Sequence, residues 1–267
     1  MVTCVSEPRF SVIIPTLNEE NNIANVLGRI PDSIWSHGEV IVVDSSTDRT
    51  PIIARRHGAK VIKAQKLGKG YAMKLGASKA RGDILIFLDG DKTDPPEYIP
   101  LMVRFLRKYD VVICSRNPNH SQGALGCRLM HYLGLPFMRN LFKLIGFSVR
   151  GDPLAGFRAM RKDTWGILDL KSDDFLIETE MNIKIVLLGL SVLEIPIPTI
   201  PRGGGLMRSK YILSIDQQAR IVRAVLHARR LIRARRIGPR IVFLRRALSL
   251  NVLDEISKNW EGSPSEP

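Results

Sequence analysis

The stretch ILIFLDGDKTDPPEY, residues 84–98, places Asp89, Asp91 and Asp94 directly after five apolar residues. Carboxylates this close repel one another unless a cation or a hydrogen-bond donor lies between them. Asp89 and Asp91, spaced by one residue, can present oxygens to a hard divalent ion, which keeps waters and completes its shell with phosphate oxygens. Such an ion would neutralise the charge of a departing diphosphate. Surface turns also contain Asp-Gly-Asp, so the weight of the triplet comes from its position at the end of an apolar run.

A sheet must hold these acids. FSVIIP (10–15), EVIVVD (39–44), AKVIKA (59–64), DILIFLD (83–89) and DVVICS (110–115) read as strands, nearly all apolar, as a parallel sheet covered on both faces requires. Between them the sequence predicts helices over 19–30 capped by Asn18, over 49–57 capped by Asp48, and over 68–80 with Gly82 as the stop signal. This is a doubly wound α/β pattern, in which ligands collect at the carboxyl ends of the strands. Following the strands are Pro15 to Glu19, Asp44 to Asp48, Asp89 to Asp91, and Ser115-Arg116. Each set alone is an ordinary turn or helix cap; gathered at one edge of one sheet they imply a polar ligand with a cation. Farther on, 152–163 reads as a strand or turn with glycine at its bend, 177–189 as a helix and 190–198 as a strand. The tail 257–267 has the composition of a disordered segment.

At 267 residues and 45% hydrophobic, the chain can bury a real core. Cys4, Cys114 and Cys127 have neither the even count nor the spacing of a disulfide framework or zinc site, which makes a reducing compartment the expectation. No leader pattern and no apolar run of about 20 residues is expected to cross a membrane. The net charge is +14. From Arg202 to Arg246 there are 13 Arg or Lys against the single acid Asp216, a surplus of +12 that leaves +2 for all other residues. The expected organisation is a catalytic domain over 1–212, a basic amphipathic helical extension over 213–256 and the tail.

SVIIPTLNEENNI, VVDSSTDRT and GKGYAMKLGASKARGDILIFLDGDKTDPPEYI, in this order and with these gaps, resemble the family 2 GT-A glycosyltransferases. Ser115-Arg116, the stretch holding Arg128 and Asn140, DPLAGFRAMRK, the acidic helix near Phe175 and LEIPI are similar to the polyprenyl-phosphate (dolichol-phosphate) mannose and glucose synthases. The resemblance covers roughly 9–215 and implies a GT-A, Rossmann-like fold, a mostly parallel sheet flanked by helices. It implies that Pro15, Glu19 and Asp44 contact the base and ribose of a nucleotide sugar, GDP-mannose or UDP-glucose. Asp89 and Asp91 would address the diphosphate and a divalent metal, Mg2+ or Mn2+, with Thr93 as a further ligand. Arg116, Arg128, Arg202 and Lys210 would gather the phosphates of donor and acceptor. Asp44-Ser45-Ser46 is shorter than the family's usual DDGS, Ala155 stands where serine is common, and Asp94 where histidine is common.

A polyprenyl phosphate acceptor needs no general base, because a phosphate monoester with a second pKa near 6 is already ionised at neutral pH. Cations that gather two anions are what such a site requires, and the planar fork of arginine suits phosphate. Direct attack with inversion at the anomeric carbon follows. Glu178 and Glu180 read either as part of the acceptor side or as acids at a helix start. Arg220, Arg223, His227 and Arg230 form one helical stripe within 214–236, and a second helix is expected over 237–250, starting at Pro239. Basic amphipathic helices can lie on an anionic membrane surface, here expected to be the cytoplasmic face, and the apolar segment 121–149 is a second candidate to face lipid. Three other readings compete: a cytosolic transferase using a small phosphorylated or hydroxyl acceptor, a non-catalytic binding protein on the same scaffold, and a solvated basic face with no lipid role. A basic nucleic-acid-binding protein is a remote further alternative, but nucleic acid is not expected as a partner, since 202–246 holds two aromatics, Tyr211 and Phe243, and no known nucleic-acid module.

Overall fold

Each apolar run of the first half becomes a strand. The computed structural model describes residues 9–116, 134–198, 200, 215–235 and 241–243. In it β1 (Phe10–Thr16), β2 (Gly38–Asp44), β3 (Lys60–Lys63), β4 (Ile84–Phe87) and β5 (Val111–Arg116) share one sheet with β6 (Arg158–Arg161), β7 (Val192–Ile197) and β8 (Ile241–Phe243). The order is β3-β2-β1-β4-β6-β5-β7-β8, and neighbours run parallel except where antiparallel β6 lies between β4 and β5.

Alternation along the strands builds a core on each face, as a period of two requires. Ile13, Ile41, Val43, Leu85 and Phe87 point to one side; Val12, Ile14, Val40, Val42 and Ile86 point to the other. The second side is covered by α1 (Ile23–Gly28), α2 (Asp32–His37), α3 (Thr50–Arg56) and α5 (Ile99–Phe105). The first is covered by α4 (Lys69–Lys79), α6 (Leu135–Lys143), α7 (Lys162–Leu168), α8 (Ile177–Leu187) and α9 (Ile215–Arg235). β3 differs from the expected fully buried strand: it lies at the sheet edge with Lys60 and Lys63 exposed. Cys114 is a free thiol buried in β5, its pKa pushed up by burial.

Several local expectations change. Asn18 does not cap α1, which begins at Ile23; it sits at φ 54°, its amide donates to Ser46 Oγ at 2.7 Å, and its Oδ1 accepts from Thr47 N at 3.0 Å. It therefore ties the loop after β1 to the loop after β2. Asp48 does close the start of α3, with Oδ1 accepting from Thr50 N at 2.9 Å. Gly82 is not the stop of α4, which ends at Lys79 with Ala80 extended. A Cβ at Gly82 would come 2.5 Å from Phe10 C, so glycine is needed there for close approach to β1.

At the C-terminal side, α9 forms as expected, and its stripe of Ile221, Val225, Ala228 and Ile232 is buried in the first core, against α8 and α6. Within the expected second helix, residues 241–243 instead form β8, which extends the sheet by pairing parallel to β7. The rest of 237–250 apart from these three residues, the tail 257–267, residues 121–133 of the expected segment 121–149 and the expected boundary at 212 lie outside the described residues.

Candidate active site

The carboxyl ends of β1, β2, β4 and β5 meet at one edge of the sheet because these strands are parallel. Antiparallel β6 starts at that same edge: Arg158 is paired with Phe87, so the loop 152–157 enters beside the end of β4. Leu88 N still bonds to Ile13 O at 3.1 Å, and the acids follow at once. Gly90 lets this turn pass β1, since a Cβ there would lie 2.9 Å from Thr16 Cγ2.

Asp91 Oδ1 accepts from Thr93 Oγ1 at 2.6 Å and from Thr93 N at 3.2 Å, so Thr93 fixes the carboxylate of Asp91. Asp89 Oδ1 lies 2.7 Å from Lys69 Nζ, and the same ammonium lies 2.7 Å from Glu178 Oε1 on α8, an ion pair rather than an aligned hydrogen bond. Burial works to lower the pKa of Lys69, but the charges of Asp89 and Glu178 override it and hold the group well above the ordinary lysine range. Asp94 is buried, with Arg116 Nε 3.5 Å from its Oδ1 and no hydrogen-bond partner for its Oδ2 among the described residues. Burial, reinforced by Asp89 and Asp91 and opposed by Arg116, pushes Asp94 up to about 7.

At the other end of the edge, Asp44 is fully buried and paired in register with Thr16, whose hydroxyl donates to Asp44 Oδ1 at 2.9 Å. Lys63 Nζ approaches Asp44 at 3.9 Å, and Asp44 Oδ2 has no hydrogen-bond partner among the described residues. Glu19 is buried, accepts from Asn22 Nδ2 at 2.9 Å and donates its amide to Thr50 Oγ1 at 2.9 Å. Pro15 lies in β1 opposite Val43. Pro15, Glu19, Asp44, Asp89, Asp91, Thr93 and Arg116 thus all lie on one sheet edge. Arg128, Arg202 and Lys210 lie outside the described residues.

Glu178 and Glu180 separate clearly. Glu180 accepts from the amides of Ser172 at 2.7 Å and Lys171 at 2.9 Å, so it holds a loop. Burial tends to raise its pKa, yet these bonds leave it lowered. Glu178 faces the site through Lys69. Sequence reasoning passed over Lys69 itself, although its setting between Gly68 and Gly70 is a signal. It also passed over two supports of the loop leading into β6. Arg158, fully buried, donates to Ala155 O at 2.6 Å, Pro153 O at 2.9 Å and Asn182 Oδ1 at 2.7 Å. Glu194 on β7 accepts from Ser115 Oγ, from Arg150 N at 2.8 Å and from Gly151 N at 2.7 Å.

The family model described as glycosyl transferase family 2 matches residues 11–164, more than half of the chain and every strand from β1 to β6. The chain belongs to that family. As a family 2 glycosyltransferase it has the GT-A architecture that the resemblance implied. The dolichyl-phosphate hexose transferase of Haloferax volcanii is 32% identical over 196 residues, 73% of this chain and 84% of that protein. The low-salt glycan biosynthesis hexosyltransferase Agl6 of the same organism is 31% identical over 202 residues, covering 74% of this chain and 49% of that protein; this chain thus matches about half of that relative's length. Glucosyl-3-phosphoglycerate synthase from Mycobacterium tuberculosis, solved with Mn2+, UDP and phosphoglyceric acid, superimposes with a TM-score of 0.60 at 24% identity, covering 85% of this chain and 78% of that one. At that identity the likeness speaks for the fold.

Proposed function

We propose that this enzyme moves a hexose from a nucleotide diphosphate sugar to a polyprenyl phosphate, with inversion at the anomeric carbon and the help of a divalent ion. The carrying observation is the convergence of Asp89, Asp91, Lys69 and Glu178 at the end of β4, beside the loop that Arg158 braces. The similarity to a protein named for dolichyl-phosphate hexose transfer supports a lipid phosphate as acceptor.

The residues fit a divalent ion of the Mg2+ or Mn2+ kind. Among the described residues no three acidic, histidine or cysteine side chains form a complete cage. Two hard carboxylates, one of them set by Thr93, suit an ion that draws its other ligands from phosphate and water. When bound, the ion stabilises the departing diphosphate. Asp44, with a buried oxygen lacking a hydrogen-bond partner among the described residues, receives the N–H groups of the base, and Pro15 and Glu19 shape that end. Arg116 draws in phosphate, together with Arg128, Arg202 and Lys210.

Glu178 is paired with an ammonium, which suits a reaction without a carboxylate base. An acceptor phosphate brings its own ionised oxygen. Among the described residues no helix is long and apolar enough to cross a membrane. The outer face of α9, with Arg223, Arg230 and Arg233 exposed, is the surface we assign to the cytoplasmic face of an anionic bilayer.

Incubation of the protein with labelled GDP-mannose or UDP-glucose, Mg2+ or Mn2+, and polyprenyl phosphate, followed by organic extraction, tests this. Label should enter the organic phase with one donor. Label that stays in water with every donor would sink the lipid acceptor, and transfer to 3-phosphoglycerate instead would favour a small phosphorylated acceptor.

A further inference from the structure

Lys69, largely but not fully enclosed, stands between Asp89 and Glu178. Its side chain is 13% exposed, and its ammonium stands against a carboxylate oxygen that a divalent ion would need. The placement is built in from several sides. Gly68, at φ +137°, and Gly70 let the start of α4 run against residues 172–174, where a Cβ on either would collide with the carbonyls of Asp173 and Ser172. Tyr71 N donates to Asp173 O at 2.8 Å and secures that contact. Gly156 closes the opposite side: a Cβ there would lie 2.5 Å from Lys69 Nζ and 3.1 Å from both carboxylate oxygens of Asp89. A divalent ion approaching Asp89 therefore meets a fixed positive charge 2.7 Å from the carboxylate's Oδ1.

We propose that Lys69 is a resident cation that weakens metal binding in the absence of nucleotide, so that a divalent ion binds tightly only together with a diphosphate. This rests on the reading of Asp89 and Asp91 as the metal and diphosphate site. A diphosphate supplies the negative charge that lets ion and ammonium share the pocket, and its oxygens give the ammonium another acceptor. Metal and nucleotide then tighten each other by the same factor, as linkage demands. Lys69 thereby couples the donor side, through Asp89, to the acceptor-side helix α8, through Glu178.

Mn2+ binding to the full chain, followed by electron paramagnetic resonance with and without GDP or UDP, tests this. In the wild type, one of these nucleotides should tighten Mn2+ by about tenfold or more. Lys69→Met should bind Mn2+ about tenfold more tightly than wild type without nucleotide, and nucleotide should then tighten it by a smaller factor than in wild type. Glu178→Gln, which removes a carboxylate competing for the ammonium, should weaken nucleotide-free Mn2+ binding. Lys66→Met, which removes an exposed charge paired with Asp173, should leave it within about twofold. An unchanged or weaker nucleotide-free affinity in folded Lys69→Met would overturn the role of Lys69 while leaving the site reading intact. Failure of Mn2+ to bind wild type or variants even with nucleotide would overturn both. If Lys69→Met does not fold, Glu178→Gln decides, and unchanged or tighter nucleotide-free binding there overturns the proposal.

Discussion

Three aspartates within six residues coexist because each has a different partner: Lys69 for Asp89, Thr93 for Asp91 and Arg116 for Asp94. That difference predicts different consequences of removal. With Asp91 holding the proposed metal, Asp91→Asn should lower turnover on the order of a hundredfold or more, whereas Asp94→Asn should cost much less. Equal and mild losses in steady-state rates would show that the triplet is only a turn. Asp94 makes a second prediction through its titration. Its carboxyl is raised to about 7 from an ordinary 3.8, chiefly by burial. Between those values the native state holds a proton that the unfolded chain has released, so the stability it contributes is complete below about pH 4 and lost as pH rises through 7. Asp94→Asn stays neutral and avoids the loss. Its melting temperature relative to wild type should therefore climb by a few degrees between about pH 5 and pH 8, and a constant difference would mean that Asp94 is ionised throughout.

At the scale of elements, one reversed strand shapes the site edge. Because β6 runs against β4 and β5, its leading loop lands at the edge where the parallel strands end, and Arg158 holds that loop by its carbonyls. Arg158→Met would leave buried acceptors unmet at about 1–3 kcal/mol each, so urea denaturation should show a loss of about 3 kcal/mol or more; a loss below about 1 kcal/mol would mean that water replaces the guanidinium. Strands β1, β2, β4 and β5 were legible because burial on both faces leaves a run of apolar residues, and the acids at their ends were legible for the same reason. β6 was less so: RAMR carries two arginines, and its direction is set by pairing partners far away in sequence. β8 was misread as helix because three apolar residues after a proline fit a helix start equally well, and pairing with β7 decides the matter. Lys69 was hidden among 40 Lys and Arg, since only its place between two carboxylates sets it apart.

For the whole molecule, the concentration of positive charge in one C-terminal stretch takes on a structural sense. α9 serves two purposes on opposite faces: Ile221, Val225, Ala228 and Ile232 are buried in the core, while Arg223, His227, Arg230 and Arg233 are exposed, flanked by Leu226 at 43% and Leu231 at 44% exposure. Arg220 pairs with Asp174 at 2.7 Å, and the proposed membrane contact rests on exposed Arg223, Arg230 and Arg233. On the adjoining α6, Phe137 at 53% exposure and exposed Lys143 repeat the mixture of apolar and basic groups. Truncating the chain before α9 would confound two effects, because it removes core packing along with charge. Substitution on the outer face separates them. Arg223→Gln with Arg230→Gln should leave the melting temperature nearly unchanged but weaken sedimentation with phosphatidylserine vesicles roughly thirtyfold, at about 1 kcal/mol per arginine. The difference should shrink in high salt, as screening of exposed charges requires. Vesicle binding that survives both substitutions at low salt would assign the arginines to solvation and move the search for a lipid-facing surface elsewhere on the molecule.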